Sequence, residues 1–170
     1  MTDKTAKVGI LMGSDSDIEV MKEAAARLEF FDVPYEMHIS SAHRSPSRTH
    51  EYASNARGRG IEVLIVGAGA AAHLAGVVSA ATTLPVIGVP LSGSALNGMD
   101  ALLSTVQMPA GVPVASMAIG KAGAANAGIF AAQILAGSDA RLADKLEAFK
   151  AELAEGVEAK DAKLQRELDD

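Results

Sequence analysis

Apolar residues along this chain come in short runs separated by polar breaks, and the spacing inside the runs alternates between two periods. Val8-Gly9-Ile10-Leu11-Met12 has strand character and is ended by Gly13-Ser14-Asp15. Ile18, Met21, Ala25 and Leu28 then recur at the three-and-four spacing of a helix face. Ser16, with Glu19 three residues on, predicts a capping box at the start of that helix. A second strand is expected over 35–40. A second helix is expected over 46–57, with Ser45 as N-cap, Pro46 at the first position and Gly58 or Gly60 as the stop. Val63-Leu64-Ile65-Val66 is apolar throughout, as a strand buried on both faces must be, and Gly67 to Gly76 lead into a third helix. Pro85 to Val89 predicts a fourth strand and Val112 to Ile119 a fifth, with helices over 96–107 and 122–136.

Strand alternating with helix five times predicts an α/β fold of three layers, a five-stranded parallel sheet with helices on both faces. The expected strand order is the flavodoxin-like 2-1-3-4-5. Leu142, Leu146, Phe149 and Leu153 mark an extra C-terminal helix after Gly137. One catalytic domain over 1–156 is expected, with 157–170 a charged tail or frayed helix.

Composition narrows the function classes. A chain of 170 residues, 49% hydrophobic, is long enough to bury one real core. The absence of cysteine removes disulfides, thiol catalysis and Cys-ligated zinc, and makes the cytoplasm the expected compartment. No signal peptide and no membrane span is expected, because Gly, Pro and polar residues break every apolar stretch. A net charge of -6 argues against a nucleic-acid partner, which needs a basic stripe. Small residues crowd almost every face of the segment from Ala122 to Ala132. Two readings stand: a tightly packed interior helix, or a helix shared with a neighbouring subunit.

The residues that carry chemistry cluster after the first three strands. Loop one is Gly13-Ser14-Asp15-Ser16-Asp17, loop two Ser41 to Pro46, and loop three Gly67-Ala68-Gly69-Ala70-Ala71-Ala72-His73. With strand order 2-1-3 the three rim a single crevice at the switch point, where open α/β sheets bind ligands. Backbone N–H groups of loops one and three suit a phosphate. Ser14 and Arg44 can reach phosphate oxygens, Asp17 can accept from sugar hydroxyls, and His43 can move a proton near neutrality. His73 either lines this site or bonds a backbone carbonyl, whereas His38 in a strand and His50 in a helix read as structural. The histidines lack metal spacing, so no metal site is expected, and nothing in the set demands a cofactor.

Rival classes fail on context. Gly67-x-Gly69-x-x-Ala72 fits a dinucleotide fingerprint but follows the third strand, and the next strand ends in Val89-Pro90-Leu91-Ser92 without a ribose-binding acid. Asp15-x-Asp17 hints at an aspartate-nucleophile phosphatase, yet Gly13 and Ser14 intervene after the strand and the downstream acids are missing. Gly120-Lys121 lacks the following Ser or Thr of a P-loop. A non-catalytic nucleotide-binding module remains as the alternative from another class.

Taken together, Gly13-Ser14-x-Ser16-Asp17, Ser41-Ala42-His43-Arg44-x-Pro46, Gly67-Ala68-Gly69 through Ala72-His73-Leu74, Gln107-Met108-Pro109 and Ala122-Gly123-Ala124-x-Asn126-Ala127 occur in the order seen in one family. In these motifs the chain resembles the class I N5-carboxyaminoimidazole ribonucleotide mutases of purine biosynthesis over residues 7–137. It departs from their usual pattern at Ala70, where they carry Gly, at Ala75, where they carry Pro, and slightly at Leu91-Ser92-Gly93-Ser94. The resemblance implies a ribonucleotide substrate whose carboxylate moves from an exocyclic nitrogen to ring carbon C4, through CO2 released and trapped in the site. It implies His43 as the catalytic acid and base. The substrate-binding set it implies is Ser14, Ser16, Asp17, Ser41, Ala42, Arg44, Gly69, Ala70, Ala72, His73 and Leu74. It further implies no cofactor, and a homo-oligomer, an octamer. A related carboxylase that takes the free aminoimidazole ribonucleotide and CO2 is the nearest alternative.

Overall fold

The computed structural model describes residues 5–169 and alternates strand and helix in the order the hydrophobic pattern predicts. The strands are β1 (Val8–Met12), β2 (Tyr35–Ile39), β3 (Val63–Gly69), β4 (Val86–Leu91) and β5 (Ala115–Ser116). The helices are α1 (Ile18–Phe30), α2 (Pro46–Asn55), α3 (Leu74–Ala80), α4 (Met99–Val106), α5 (Lys121–Ala136) and α6 (Ala140–Asp169). All strand pairs are parallel, in the order β2-β1-β3-β4-β5, so the expected flavodoxin-like arrangement stands.

Period-two alternation sorts side chains into two cores. Val8, Ile10, Met12, Ile65, Ile87 and Val89 point to the face covered by α1 and α5. Leu11, Leu64, Val66 and Val86 point to the other, against Ala53 of α2, Val78 of α3 and Ala101 of α4. Burying each large aliphatic side chain contributes about 1.5–3 kcal/mol. The all-apolar run Val63–Val66 is buried on both faces, as its composition requires.

Fifth-strand pairing is shorter than the pattern suggests. Only Ala115 and Ser116 join the ladder, opposite Ile87 and Gly88. Pro113 has no N–H to donate, and the Val112 N–H turns back to the Pro109 carbonyl. Beyond the ladder the chain stays beside β4 through Met117 N–H to Gly88 O and Gly120 N–H to Pro90 O. Strand β3 runs on to Gly69, past the expected Val66, and the third helix begins at Leu74, within the glycine-rich lead to Gly76. The second helix ends at Asn55, and a 3-10 turn over Arg57–Arg59 carries the chain to Gly60, whose φ of +93° makes it the stop.

The small residues of α5 are explained first by its approach to α1. Gly123, Ala124, Ala127, Gly128, Ala131 and Ala132 are all buried. A Cβ on Gly128 would lie 2.6 Å from the Ala24 carbonyl oxygen, so only glycine permits this helix spacing. Leu142 of α6 is buried in the same core, where Phe149 meets Phe30 and Phe31 edge-to-face at centroid separations of 5.6 and 5.5 Å. Leu153, placed by its spacing on the buried stripe, is instead 50% exposed, because α6 has by then left the body of the domain.

The edge strand β2 is fixed by a polar cluster. Tyr52 of α2 fills the space above Gly9, where any Cβ would collide with its hydroxyl. That hydroxyl donates to Glu36 Oε1 at 2.7 Å, and Arg59 pairs with the same oxygen at 2.8 Å while its guanidinium lies 4.6 Å from the Tyr52 ring centroid. Burial pushes the Glu36 carboxyl up, but the hydrogen bonds from Tyr52 and Arg59 outweigh it and hold the group below its ordinary value.

The helix contact yields a direct test. Gly128→Ala is expected to destabilise the chain by about 2–3 kcal/mol, since the methyl meets rigid backbone. Gly67→Ala, whose methyl meets only the flexible end of Met21, is expected to cost about 1 kcal/mol. Equilibrium urea denaturation of the two variants measures the order; equal losses would contradict this account of the α1–α5 spacing.

Candidate active site

Loop one leaves β1 at Gly13 and enters a 3-10 turn over Asp15–Asp17 before α1. The turn, rather than α1, takes the cap. Ser14 Oγ accepts from the Ser16 N–H and Asp17 Oδ2 accepts from the Ser14 N–H at 3.1 Å. The capping box is thus Ser14 with Asp17, two residues before the expected Ser16 and Glu19. Starting the helix with a tighter turn moves the first orphan donors forward. Ser16 instead donates its hydroxyl to Asp17 Oδ1 at 3.2 Å.

Loop two is closed on itself. Ser45 stands at the N-cap position with Pro46 after it, but its hydroxyl makes no cap bond. It accepts from the Ser41 N–H at 3.0 Å and donates to the Ser41 carbonyl at 3.1 Å, so it ties the loop rather than the helix. Ser41 Oγ accepts from the Arg44 N–H at 3.2 Å. Arg44 Nη2 then donates to the Gly13 carbonyl at 2.8 Å, joining loops one and two. Beneath them the Ser40 and Thr49 hydroxyls share a buried 2.8 Å hydrogen bond.

Loop three turns at Ala70, whose φ of +52° lies in the left-handed region that an alanine enters at a cost of about 1–2 kcal/mol. Gly69 before it has no such requirement; a Cβ there would meet the Leu91 carbonyl at an ordinary 3.5 Å. After the turn, Ala72 N–H bonds to Ala70 O and His73 N–H to Ala71 O, both at 2.8 Å. This folds the chain back and carries His73 toward loop two, where its Nδ1 lies 2.9 Å from His43 Nε2.

The three loops line one cleft of about 400 Å³ at the C-terminal ends of β1, β2 and β3. Ser14, Ser16, Asp17, Ser41, Ala42, His43, Arg44, Gly69, Ala70, His73 and Leu74 all face it. Ala72 does not: it is 1% exposed and packs in the core under α3. Gly13, Ala68, Ala71, Leu91 and Gly93 also line the cleft. Strand order could have located the last two, because β4 neighbours β3 and its C-terminal end reaches the same rim. His38, on β2, lies outside, edge-to-face with Tyr52 of α2.

A larger cleft of about 570 Å³ opens at the opposite end of the sheet, around Lys7, Asp32, Glu62 and Lys145. It contains no histidine, and its charges are engaged in the Lys7–Glu62, Lys145–Asp32 and Arg141–Asp139 pairs. The smaller cleft instead gathers a hydrogen-bonded imidazole pair, a guanidinium and a carboxylate. Burial raises the Asp17 carboxyl above its ordinary value, against the hydrogen bonds from Ser16 and Ser14 that favour the ionised form. Asp15, on the solvent side, is lowered by hydrogen bonds from the Ser14 hydroxyl and Ser16 N–H.

Comparison with known proteins identifies the family. The family model described as AIR carboxylase matches residues 7–156. The chain belongs to that family. A Mycobacterium leprae protein named N5-carboxyaminoimidazole ribonucleotide mutase is 56% identical over 160 residues, covering 94% of this chain and 92% of its own. A Bacillus subtilis protein of the same name is 62% identical over 140 residues, covering 82% and 86%. Among solved structures, a single-substitution variant of Treponema denticola PurE2 superposes with a TM-score of 0.84 at 26% identity over 92% of this chain and 96% of its own. Treponema denticola PurE gives 0.80 at 29% identity, over 92% and 97%.

Asp17 has a consequence for stability with a definite sign. Its folded carboxyl binds a proton more readily than the unfolded one, so its ionisation opposes folding as pH rises through the folded pKa and at every higher pH. Asp17→Asn keeps an acceptor for the Ser14 N–H and removes the buried charge. Its thermal midpoint at neutral pH is expected to equal or exceed that of the unsubstituted chain, and the gain is expected to fade as pH falls toward the ordinary value of 3.8. Calorimetry across that range checks it; a clear loss at neutral pH would contradict the assignment.

Proposed function

We propose that this chain is an N5-carboxyaminoimidazole ribonucleotide mutase of purine biosynthesis, giving 4-carboxy-5-aminoimidazole ribonucleotide in the cytoplasm. The observation that carries the reading is one cleft joining His43, Arg44 and Asp17 from separate loops, in a chain whose relatives of that name match it over nearly its full length. Ser14 and Arg44 hold the phosphate. Arg44 contributes about 1.5–3 kcal/mol through a charge-assisted bond in addition to its existing bond to Gly13. Asp17, kept partly buried by loop one, accepts from the ribose hydroxyls. Ser16, Ser41, Ala42, Gly69, Ala70 and Leu74 shape the walls around the base.

With the base between loops two and three, His43 faces both reacting atoms. The N–carboxylate bond breaks with its electron pair going to nitrogen, and the His43 imidazolium protonates that nitrogen. Carbon dioxide stays beside loop three. Nitrogen lone pairs push density to C4, which attacks the carbon of CO2 to form the new bond. Neutral His43 then removes the C4 proton and the ring recovers its aromaticity. The proton given at the first step is recovered at the last, so the cycle balances with no added reductant or nucleotide. General acid–base work of this kind supplies about 10²–10⁴-fold, the remainder coming from holding both partners in place.

The family's description as AIR carboxylase favours a second reading, in which the substrate is free aminoimidazole ribonucleotide with dissolved CO2. A homo-oligomer, an octamer on the resemblance, accompanies either reading. It is supported by the ridge of Leu96, Met99, Leu103 and Val106 on and before α4, which a lone chain leaves exposed.

Turnover of the two substrates at matched concentration, with and without bicarbonate, separates the readings. Faster turnover of the carboxylated ribonucleotide without bicarbonate is expected; preference for the free ribonucleotide with bicarbonate would reverse the assignment. His43→Asn is expected to lower kcat by about 10²-fold or more while product still binds within a few-fold. Near-normal turnover would remove His43 from its role.

A further inference from the structure

The His43–His73 contact goes further than lining the cleft. The two rings come from loops thirty residues apart in sequence, yet Nε2 of one and Nδ1 of the other are 2.9 Å apart, with the planes at 76°. One of these nitrogens must donate and the other accept, so the tautomers of the two rings are locked to one another. The contact depends on the left-handed turn at Ala70, which brings His73 back across the cleft. Backbone strain held at a cleft wall is where a positioning device is expected.

We propose that His73 is a positioning residue for this chemistry: its Nδ1 accepts the transferable proton of His43 before substrate enters and holds the His43 ring in the orientation that presents that proton. The proposal rests on the mutase reading for its catalytic consequence, though not for the pair itself. In the starting state His43 is an imidazolium whose Nε2–H bonds to neutral His73, itself protonated on Nε2. When substrate arrives, that N–H changes acceptor, from His73 Nδ1 to the departing nitrogen. After the C4 proton is taken, the N–H returns to His73. Arg44 and Asp17 line the same cleft beside the pair.

The test begins without substrate. Nitrogen–proton correlation spectra of the imidazoles are expected to show the His43 Nε2–H as a downfield signal with a through-hydrogen-bond correlation to His73 Nδ1. In His73→Ala, His43 loses its acceptor and that signal loses its downfield position. His73→Asn places Oδ1 where Nδ1 was, and returns the signal toward its original position. His73 is exposed and makes no side-chain cap bond to α3, so both variants are expected to fold. In turnover, His73→Ala lowers kcat about tenfold with KM within about threefold, and His73→Asn recovers most of the loss. Absence of the correlation between the two rings, an unmoved His43 signal in His73→Ala, or an effect confined to KM would overturn the proposal. A correlated pair in a protein that fails to turn over the carboxylated ribonucleotide would leave the pair standing and overturn the mutase reading instead.

Discussion

Parallel pairing of β1 between β2 and β3 is the constraint on which the rest depends. It is the point where strand order reverses, and it forces the chains leaving β1, β2 and β3 to diverge around one crevice. No single loop of this protein carries enough chemistry to act. Loop one offers N–H groups and a half-buried carboxylate, loop two an imidazole and a guanidinium, and loop three a second imidazole on a strained turn. Strand order brings the three fragments to one cleft. The Arg44 bond to the Gly13 carbonyl and the bond between His43 and His73 then link neighbouring loops side chain to backbone and side chain to side chain.

That strand order in turn requires close helix layers on both faces. On one face α5 approaches α1 as nearly as Gly128 allows, leaving no room for even a methyl against the Ala24 carbonyl. On the other, Tyr52 occupies the volume that a side chain at Gly9 would take, and its hydroxyl is used to anchor Glu36 on the edge strand. Aromatic residues are only 4% of the chain because its architecture is built from close backbone approach rather than from large side chains. Polar groups are spent where loops must be held: Ser40 with Thr49 under loop two, Ser45 on Ser41 within it, and Ser14 with Asp17 at loop one.

The layered α/β fold and its strand order were legible because buried parallel strands and amphipathic helices leave opposite periodicities, and Val63–Val66 is an unambiguous instance. Which residues line the cleft was legible because Ser14, Asp17, His43 and Arg44 all fall just after strands. What periodicity does not encode is local hydrogen-bond choice. Ser45 has the type and position of a cap but spends its hydroxyl on Ser41, and Ser14 outcompetes Ser16 because a 3-10 turn precedes α1. The short β5 follows from Pro113, whose effect on pairing depends on which edge faces β4. Ala72 shows the same limit: three consecutive alanines in loop three look alike in sequence, and only the turn at Ala70 decides which of them is buried. The His43–His73 contact depends on that turn as well, at a position where composition alone would have favoured glycine.

The central claim is that these loops hold one ribonucleotide with its reacting carbon against His43. A crystal structure of the protein with 4-carboxy-5-aminoimidazole ribonucleotide bound tests it most directly. The account predicts phosphate density against Ser14 and Arg44, ribose at Asp17, and the C4 carboxylate between His43 and the Ala70–His73 turn. A nucleotide seated instead in the cleft around Lys7 and Lys145 at the far end of the sheet, or bound with His43 turned out to solvent, would contradict it.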